Sequence, residues 1–157
     1  MLKMDLQLFN DNGVFNLQHE HKFEIDITPD GESETMEEIA EGISDFEPDP
    51  NDEVDQAFYL SGEGHADSDV TGQQLIISFE GHRYLGDPAQ DFIYEKVNKV
   101  GKARRTKFKW TKPSGEEIEG NVTLANITGP SGPANEKGSI SFEVHFNGKP
   151  TVTESGE

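Results

Sequence analysis

The chain has no cysteine among its 157 residues, so disulfides, thiolate zinc sites and a cysteine nucleophile are excluded. Basic residues are scarce: 13 lysines and arginines stand against 31 aspartates and glutamates, and the formal charge is −18. Such a chain repels a phosphate backbone, which excludes a simple nucleic-acid binder. No apolar run approaches the roughly 18 residues that a membrane helix needs, and no signal peptide is visible. We therefore expect a protein made in a reducing cytoplasm, with enough residues for one domain.

The charges that are present are unevenly distributed. Residues 20–69 hold 18 of the 31 acids and one base, Lys22, whereas residues 96–112 hold eight of the 13 bases and no acid. A chain that docks against copies of itself gains steering and register from such segregation. The alternative is a solvated acidic loop and a basic edge strand.

Alternating apolar and polar residues predict a β-rich domain. The runs are Phe23, Ile25 and Ile27; Leu75, Ile77 and Phe79; Phe108 and Trp110; Ile118, Val122 and Leu124; and Ile140, Phe142, Val144 and Phe146. Ile127 falls on the opposite parity from Leu124, which predicts a bulge near Ala125. Proline and glycine in residues 112–115 predict a hairpin turn, and residues 129–133 predict a loop.

One helix is predicted between these runs. Asp87 can cap it, Pro88 suits its first position, and apolar residues follow helical spacing to Val100, before Gly101. Residues 36–46 fit either a helix or an interrupted strand. Residues 51–72 are rich in aspartate and glycine, which indicates an excursion from the core.

No motif in the sequence predicts catalysis or a cofactor. His19 and His21 would share one face of an extended segment, but no third metal ligand is evident nearby. The acidic run from Asp45 fails the calcium-loop template, since Pro50 and Gln56 occupy the glycine and glutamate positions. Neither a G-x-S-x-G elbow nor a phosphate-binding loop occurs. We expect a protein that is not an enzyme, with no metal or cofactor.

Several short motifs, in order, resemble the major tail (tail tube) proteins of long, non-contractile-tailed bacteriophages of Gram-positive bacteria. The resemblance covers about two thirds of the chain, from Val54 to Thr153. The matching segments are residues 59–64 (YLSGEG), 68–72 (SDVTG), 77–84 (ISFEGHRY), 86–91 (GDPAQD), 125–130 (ANITGP) and 141–150 (SFEVHFNGKP).

The resemblance implies a mainly β fold: a β-sandwich or barrel of two packed antiparallel sheets with one flanking helix, a long loop and mobile termini. The whole chain would be a single tail tube domain, with residues 1–15 as a flexible arm and 151–157 as a flexible tail. Such proteins form hexameric rings that stack into a tube, the conduit for DNA ejection. The implied partners are other copies, the tape measure protein, the tail terminator and the distal tail protein. DNA would pass without specific binding, and the protein, made in the host bacterial cytoplasm, would reside in the virion.

Three groups of residues are candidates for contacts between subunits. The excursion at 51–72 is either an assembly arm or a loop whose apolar residues fold back on their own domain. The basic strand, with Lys102, Lys107 and Lys109, is predicted to meet the acids of residues 32–55 between subunits. Its alternatives are bases facing solvent, pairing within one chain, or facing DNA. The candidate residues are Phe58, Tyr59 and Leu60; Arg104 and Arg105; and Leu6, Leu8 and Phe9.

Two other functions compete with the tail tube hypothesis. A monomeric β-sandwich binding module, for carbohydrate or calcium, would show an aromatic platform or a clustered ligand set. A small hydrolase would need a recognisable catalytic motif.

Overall fold

The computed structural model describes residues 13–154, in which ten strands and one α-helix form. The strands are β1 (Lys22–Asp26), β2 (Met36–Glu38), β3 (Ile43–Asp49), β4 (Glu53–Phe58), β5 (Ala66–Gly72), β6 (Ile76–His82), β7 (Arg105–Thr111), β8 (Glu117–Ser131), β9 (Ser139–Phe146) and β10 (Thr151–Thr153). The helix, α1, is Pro88–Glu95. No helix in residues 13–154 is long and apolar enough to span a membrane.

Eight strands form one antiparallel sheet in the order β2-β1-β7-β8-β9-β6-β3, with β10 paired to β8. The sheet folds over on itself, because strands from its two ends pack face to face. The rings of Phe23 on β1 and Phe46 on β3 have centroids only 4.7 Å apart. The described strands close no barrel, and the mainly β sandwich class predicted from the sequence is confirmed.

The core lies between the two layers of this folded sheet. Inward-facing residues alternate along β9, whose buried positions are every second residue from Ile140 to Phe146. Aromatic rings link the layers: Phe79 lies 4.9 Å from Phe23 and 5.0 Å from Phe142 between centroids. Full burial of one such side chain contributes about 1.5–3 kcal/mol to the stability of the fold. The alternating apolar residues predicted from the sequence therefore form the main stabilising layer.

Two of the turn and bulge predictions are confirmed. The register between β8 and β9 shifts between Ala125 and Thr128, and Asn126 there has a φ of +48°. In the β7–β8 turn, the amide of Lys112 donates to the carbonyl of Glu116 at 2.9 Å. This is the hairpin predicted at residues 112–115.

Two other segments resolve differently from the sequence patterns. The loop predicted at 129–133 is wrong over its first part, since β8 continues to Ser131, which pairs with Ser139. Residues 36–46, which fit a helix or a strand, form β2 and the start of β3. Gly42 separates them with a φ of +78°, a conformation that a helix interior does not contain.

The helix begins at Pro88 as predicted, and the Asp87 carboxylate accepts a hydrogen bond from the amide of Gln90 at 3.0 Å. It ends at Glu95, so the prediction that it reaches Val100 is wrong. The chain tightens there, because the amide of Lys96 donates to the carbonyl of Ile93 three residues earlier.

The predicted terminal segments are covered only in part. Residues 151–153, assigned to the C-terminal tail, form β10, which pairs with residues 117–119 of β8. The candidates Leu6, Leu8 and Phe9, most of the predicted arm at 1–15, and residues 155–157 lie outside the described residues. The mobility of both termini stays a prediction.

Candidate assembly interface

Strands β4 and β5 form a two-stranded ribbon separate from the large sheet. We call residues 53–72 the hairpin arm. Their backbone pairing runs from Glu53–Gly72 at the base to Phe58–Ala66 near the tip. Nothing in the arm belongs to the hydrophobic core. A two-stranded ribbon alone is marginally stable in water, so this one gains from a surface that covers it.

Apolar side chains at the tip of the arm face solvent. Phe58 is 67%, Tyr59 58% and Leu60 103% exposed. The structure therefore brings these three sequence candidates together, and they do not fold back on their own domain. Their exposure keeps these three residues as candidates for a contact with another molecule.

The register gives the arm two unlike faces, because directly opposed residues of an antiparallel pair share a face. Val54 lies opposite Val70 on one face, whereas Asp55 lies opposite Asp69 on the other. Val70 is a further contact candidate that the sequence pattern did not indicate. Its position on the same face as Val54 follows only from the register. The one signal in the sequence is that Val70 is an apolar residue in an acidic stretch.

Arg104, a predicted contact residue, is engaged within its own subunit. Its guanidinium donates to the carbonyls of Lys99 at 2.7 Å, Val97 at 2.8 Å and Leu124 at 3.4 Å. These bonds satisfy carbonyls just beyond the end of α1 and tie that segment to β8. Arg104 thus caps the segment that follows α1 in its own chain. The sequence did not reveal this role, because the acceptors are backbone carbonyls.

Four lysines of the basic segment, residues 96–112, form ion pairs with acids of the same chain, and one of them is Lys96, which contacts Glu95 at 3.6 Å. Lys107 contacts Glu34 at 2.6 Å, Lys109 contacts Glu117 at 3.4 Å, and Lys112 contacts Glu116 at 2.7 Å. The hydrogen bond and the charge of Glu34 raise the pKa of Lys107. For Lys107 and Glu34, the predicted meeting between subunits is wrong, since segments 73 residues apart already meet within one chain.

Arg105 differs from Arg104. It begins β7 with an exposed side chain, and it forms no ion pair with any of the residues that the structure describes. Of the two predicted arginines, it is the one available to another molecule.

His21 is a packing residue of this fold. Its Nδ1 accepts a hydrogen bond from the indole N–H of Trp110 at 3.0 Å, and its ring meets Phe46 at 5.0 Å between centroids. Burial lowers the pKa of His21, and the charge of Lys112 acts in the same direction. Within residues 13–154, no three His, Asp or Glu side chains are grouped to hold a metal ion.

Gln90 is a buried polar centre that the sequence indicated only as a helix-start residue. Its Oε1 accepts from the guanidinium of Arg83 and from the amide of Tyr84, at 3.1 and 2.9 Å. Its Nε2 donates to the carbonyls of Glu41 and His82, at 2.9 and 3.0 Å. One side chain therefore joins α1, the end of β6 and the turn into edge strand β3.

The outward face of β3, β6 and β9 carries acids without lysine or arginine. The cross-strand pairs Asp45–Glu80 and Glu47–Ser78 lie there, continued by Glu143 on β9. Hydrogen bonds from His145 and Asn126 lower the pKa of Glu143. Because this surface carries acids and no lysine or arginine, we call it the anionic face of the sheet.

Several solved structures have a fold similar to that of this chain. No protein-family model and no curated protein match the chain. Among solved structures, it resembles a chain from the tail of an empty GTA particle with C6 symmetry at 17% identity and a TM-score of 0.70. The alignment covers 90% of this chain and 100% of that one. A chain from the virion of a native gene transfer agent particle aligns at 17% identity and a TM-score of 0.70, over 88% and 99% of the two chains.

A third structure, the anti-feeding prophage tube-terminating cap, aligns at 14% identity and a TM-score of 0.56. The alignment covers 97% of this chain and 100% of that one. The chain therefore has a fold that tail and tube-cap subunits of phage-like particles also have.

Proposed function

We propose that this protein is a non-catalytic structural subunit that assembles into stacked hexameric rings, forming a phage tail tube. The observation that carries the proposal is the hairpin arm, a protruding ribbon with an apolar tip on a domain of tail-subunit fold. Both the fold comparison, which includes a tail of C6 symmetry, and the motif resemblance support it.

The arm supplies the driving force for association in this proposal. Leu60 is wholly exposed in the single chain, and Phe58 and Tyr59 are more than half exposed. Burial of each such side chain by a neighbouring subunit contributes about 1.5–3 kcal/mol before the cost of association. Repetition around a ring multiplies that gain. In the same proposal, Leu6, Leu8 and Phe9 pack on a neighbour.

The large sheet also favours assembly. Its edge strands, β2 and β3, each have one side without a strand partner in the described part of the chain. Exposed edges invite pairing with other chains, and closure into a ring removes them. Neighbouring subunits in a ring would join their sheets in this way.

The anionic face of β3, β6 and β9 suits a channel for DNA. If that face lines the lumen, its acids repel the duplex and prevent it from adhering. The remaining assignments rest on the resemblance: a siphophage of a Gram-positive host, residence in the virion after synthesis in the bacterial cytoplasm, and contacts with tape measure, terminator and distal tail proteins.

Electron microscopy of the purified protein over a concentration series tests the proposal. Rings or tubes are expected above a threshold concentration. Leu60→Ser should raise that threshold at least about tenfold, since 1.4 kcal/mol corresponds to a factor of ten. Leu85→Ser is the matched control, because Leu85 is also a largely exposed leucine but lies outside the arm. A chain that stays monomeric at every concentration, even with the other tail proteins present, contradicts the proposal.

A further inference from the structure

The acidic face of the hairpin arm, defined as Asp55, Asp67 and Asp69, is electrostatically unfavourable in a single chain. Asp55 and Asp69 are directly opposed in the ribbon, and Asp67 follows on the same face. Like charges at opposed positions destabilise an antiparallel pair. The arm has no lysine or arginine to offset them. This face of the arm therefore becomes more stable beside a cationic surface.

The same chain carries such a surface on another part of the fold. Lys99, Lys102 and Arg105, the cationic patch, are exposed around the turn between α1 and β7. The ion pairs of residues 13–154 include none of the three. Val100, which is 86% exposed, lies among them in the chain. The patch is thus the part of the basic segment left over after its other lysines pair internally.

One of the two acids beside the patch is engaged elsewhere. Asp26 and Asp30 line the same surface depression as Lys102 and Arg105. The carboxylate of Asp26 is buried and accepts hydrogen bonds from the amides of Thr28 and Thr35, at 2.9 and 3.0 Å. Asp30 alone among them is an exposed acid, so the patch keeps a positive excess.

Arm and patch do not pair within one chain: no ion pair or hydrogen bond of the described residues joins them. We propose that the acidic face of the hairpin arm docks on the cationic patch of a second copy of this chain. The proposal deepens the proposed function and rests on it. Its basis is charge complementarity between two surfaces that every copy carries.

A second copy fits the patch better than a nucleic acid does. The chain has a net charge of −18, so a polyanion approaching the patch is repelled by the rest of the molecule. An arm, by contrast, brings three carboxylates on a narrow ribbon to three bases. Complementary charge of this kind sets partner orientation and association rate.

Charge reversal tests the docking, first on the arm and on the patch separately and then on both in one chain. The patch variant is Lys102→Glu with Arg105→Glu, and the arm variant is Asp67→Lys with Asp69→Lys. The latter places a lysine opposite Asp55, which favours the hairpin, so lost assembly would not reflect an unfolded arm. At low salt, each variant should raise the threshold concentration for assembly by light scattering at least about tenfold.

The chain with all four substitutions should recover assembly to within about threefold of the wild type, because the two charges are exchanged. The effects of both reversals should shrink near 1 M salt, where the Debye length is about 3 Å. Lys137→Glu with Lys149→Glu is the control for the patch, and Glu136→Lys with Glu154→Lys is the control for the arm. Each control changes exposed residues elsewhere and matches the change in net charge.

Distinct results separate the failure of this inference from that of the proposed function. If the wild type assembles and both reversals behave as their controls do, the docking inference is overturned and the tube assignment stands. If the wild type never assembles, both are overturned. If a labelled DNA duplex binds the wild type but not the patch variant, and that variant assembles normally, the patch serves nucleic acid and the inference is again overturned.

Discussion

Arg104 and Arg105 are adjacent in sequence but differ in role, and replacing each with alanine measures that difference. Arg104 donates two short hydrogen bonds, to the carbonyls of Lys99 and Val97, and a longer one to Leu124. A hydrogen bond to a charged group contributes about 1.5–3 kcal/mol. Because the Arg104 side chain is only partly buried, water replaces part of this hydrogen-bonding energy in the variant. We expect Arg104→Ala to lower the free energy of unfolding by about 2–3 kcal/mol.

Arg105→Ala is the matched control, since it removes the same side chain from an exposed position without an ion pair among the described residues. Its effect on unfolding should stay within about 0.5 kcal/mol. Arg104→Lys should recover only part of the loss, because an ammonium lacks the planar fork that serves several acceptors.

Urea unfolding under conditions that keep the protein monomeric provides the measurement. Trp110 is the only tryptophan, so its fluorescence reports the core directly. A 2–3 kcal/mol loss also corresponds to a melting temperature lower by roughly 4–12 °C for a domain of this size. Equal unfolding midpoints for Arg104→Ala and Arg105→Ala would refute the capping role and return Arg104 to the candidates for contacts between subunits.

Three further predictions address the fold and its pH response. Gln90→Leu should cost about 2–4 kcal/mol in urea unfolding, because it leaves buried backbone groups without partners. Gly81→Ala should lower the free energy of unfolding by about 1–3 kcal/mol, because the added Cβ would clash with the carbonyl oxygen of Gly42 in the β2–β3 turn. Gly62→Ala is the control and should leave the free energy of unfolding unchanged, because the space around Gly62 is open. Burial lowers the pKa of His21 below 6.5, so its contribution to stability is present above pH 6.5 and is lost as the pH falls through the folded-state pKa. His21→Gln should remove that part of the pH dependence, measured through Trp110 fluorescence; an unchanged pH profile would contradict it.

Local patterns were sufficient for five of the ten strands, β1, β6, β7, β8 and β9, and for the start of the helix. The alternation around Phe142 predicted which residues of β9 face the core, because strand geometry alone sends successive side chains to opposite faces. Asp87 and Pro88 marked the beginning of α1, since capping depends on neighbours within one turn. The change of parity at Ile127 predicted the bulge for the same local reason.

Long-range pairing decided what local patterns could not. Gly129 and Pro130 indicate a loop in isolation, but pairing with β9 extends β8 through them. Nothing in the sequence identifies backbone carbonyls as acceptors for Arg104, so its role inside the subunit could not be predicted. The partner of Lys107 was equally hidden, because Glu34 lies 73 residues away and reaches it only through the fold of β1 against β7.

The candidate interface shows the same division. An acidic, glycine-rich stretch around Phe58, Tyr59 and Leu60 was enough to predict an excursion from the core, since it lacks the apolar residues for a core of its own. Only the register of β4 and β5 placed Asp55 opposite Asp69 and so created an acidic face. Composition depends on residue identity alone, whereas a face exists only after two strands are aligned. The register of that alignment is a property of the folded hairpin and of neither strand by itself.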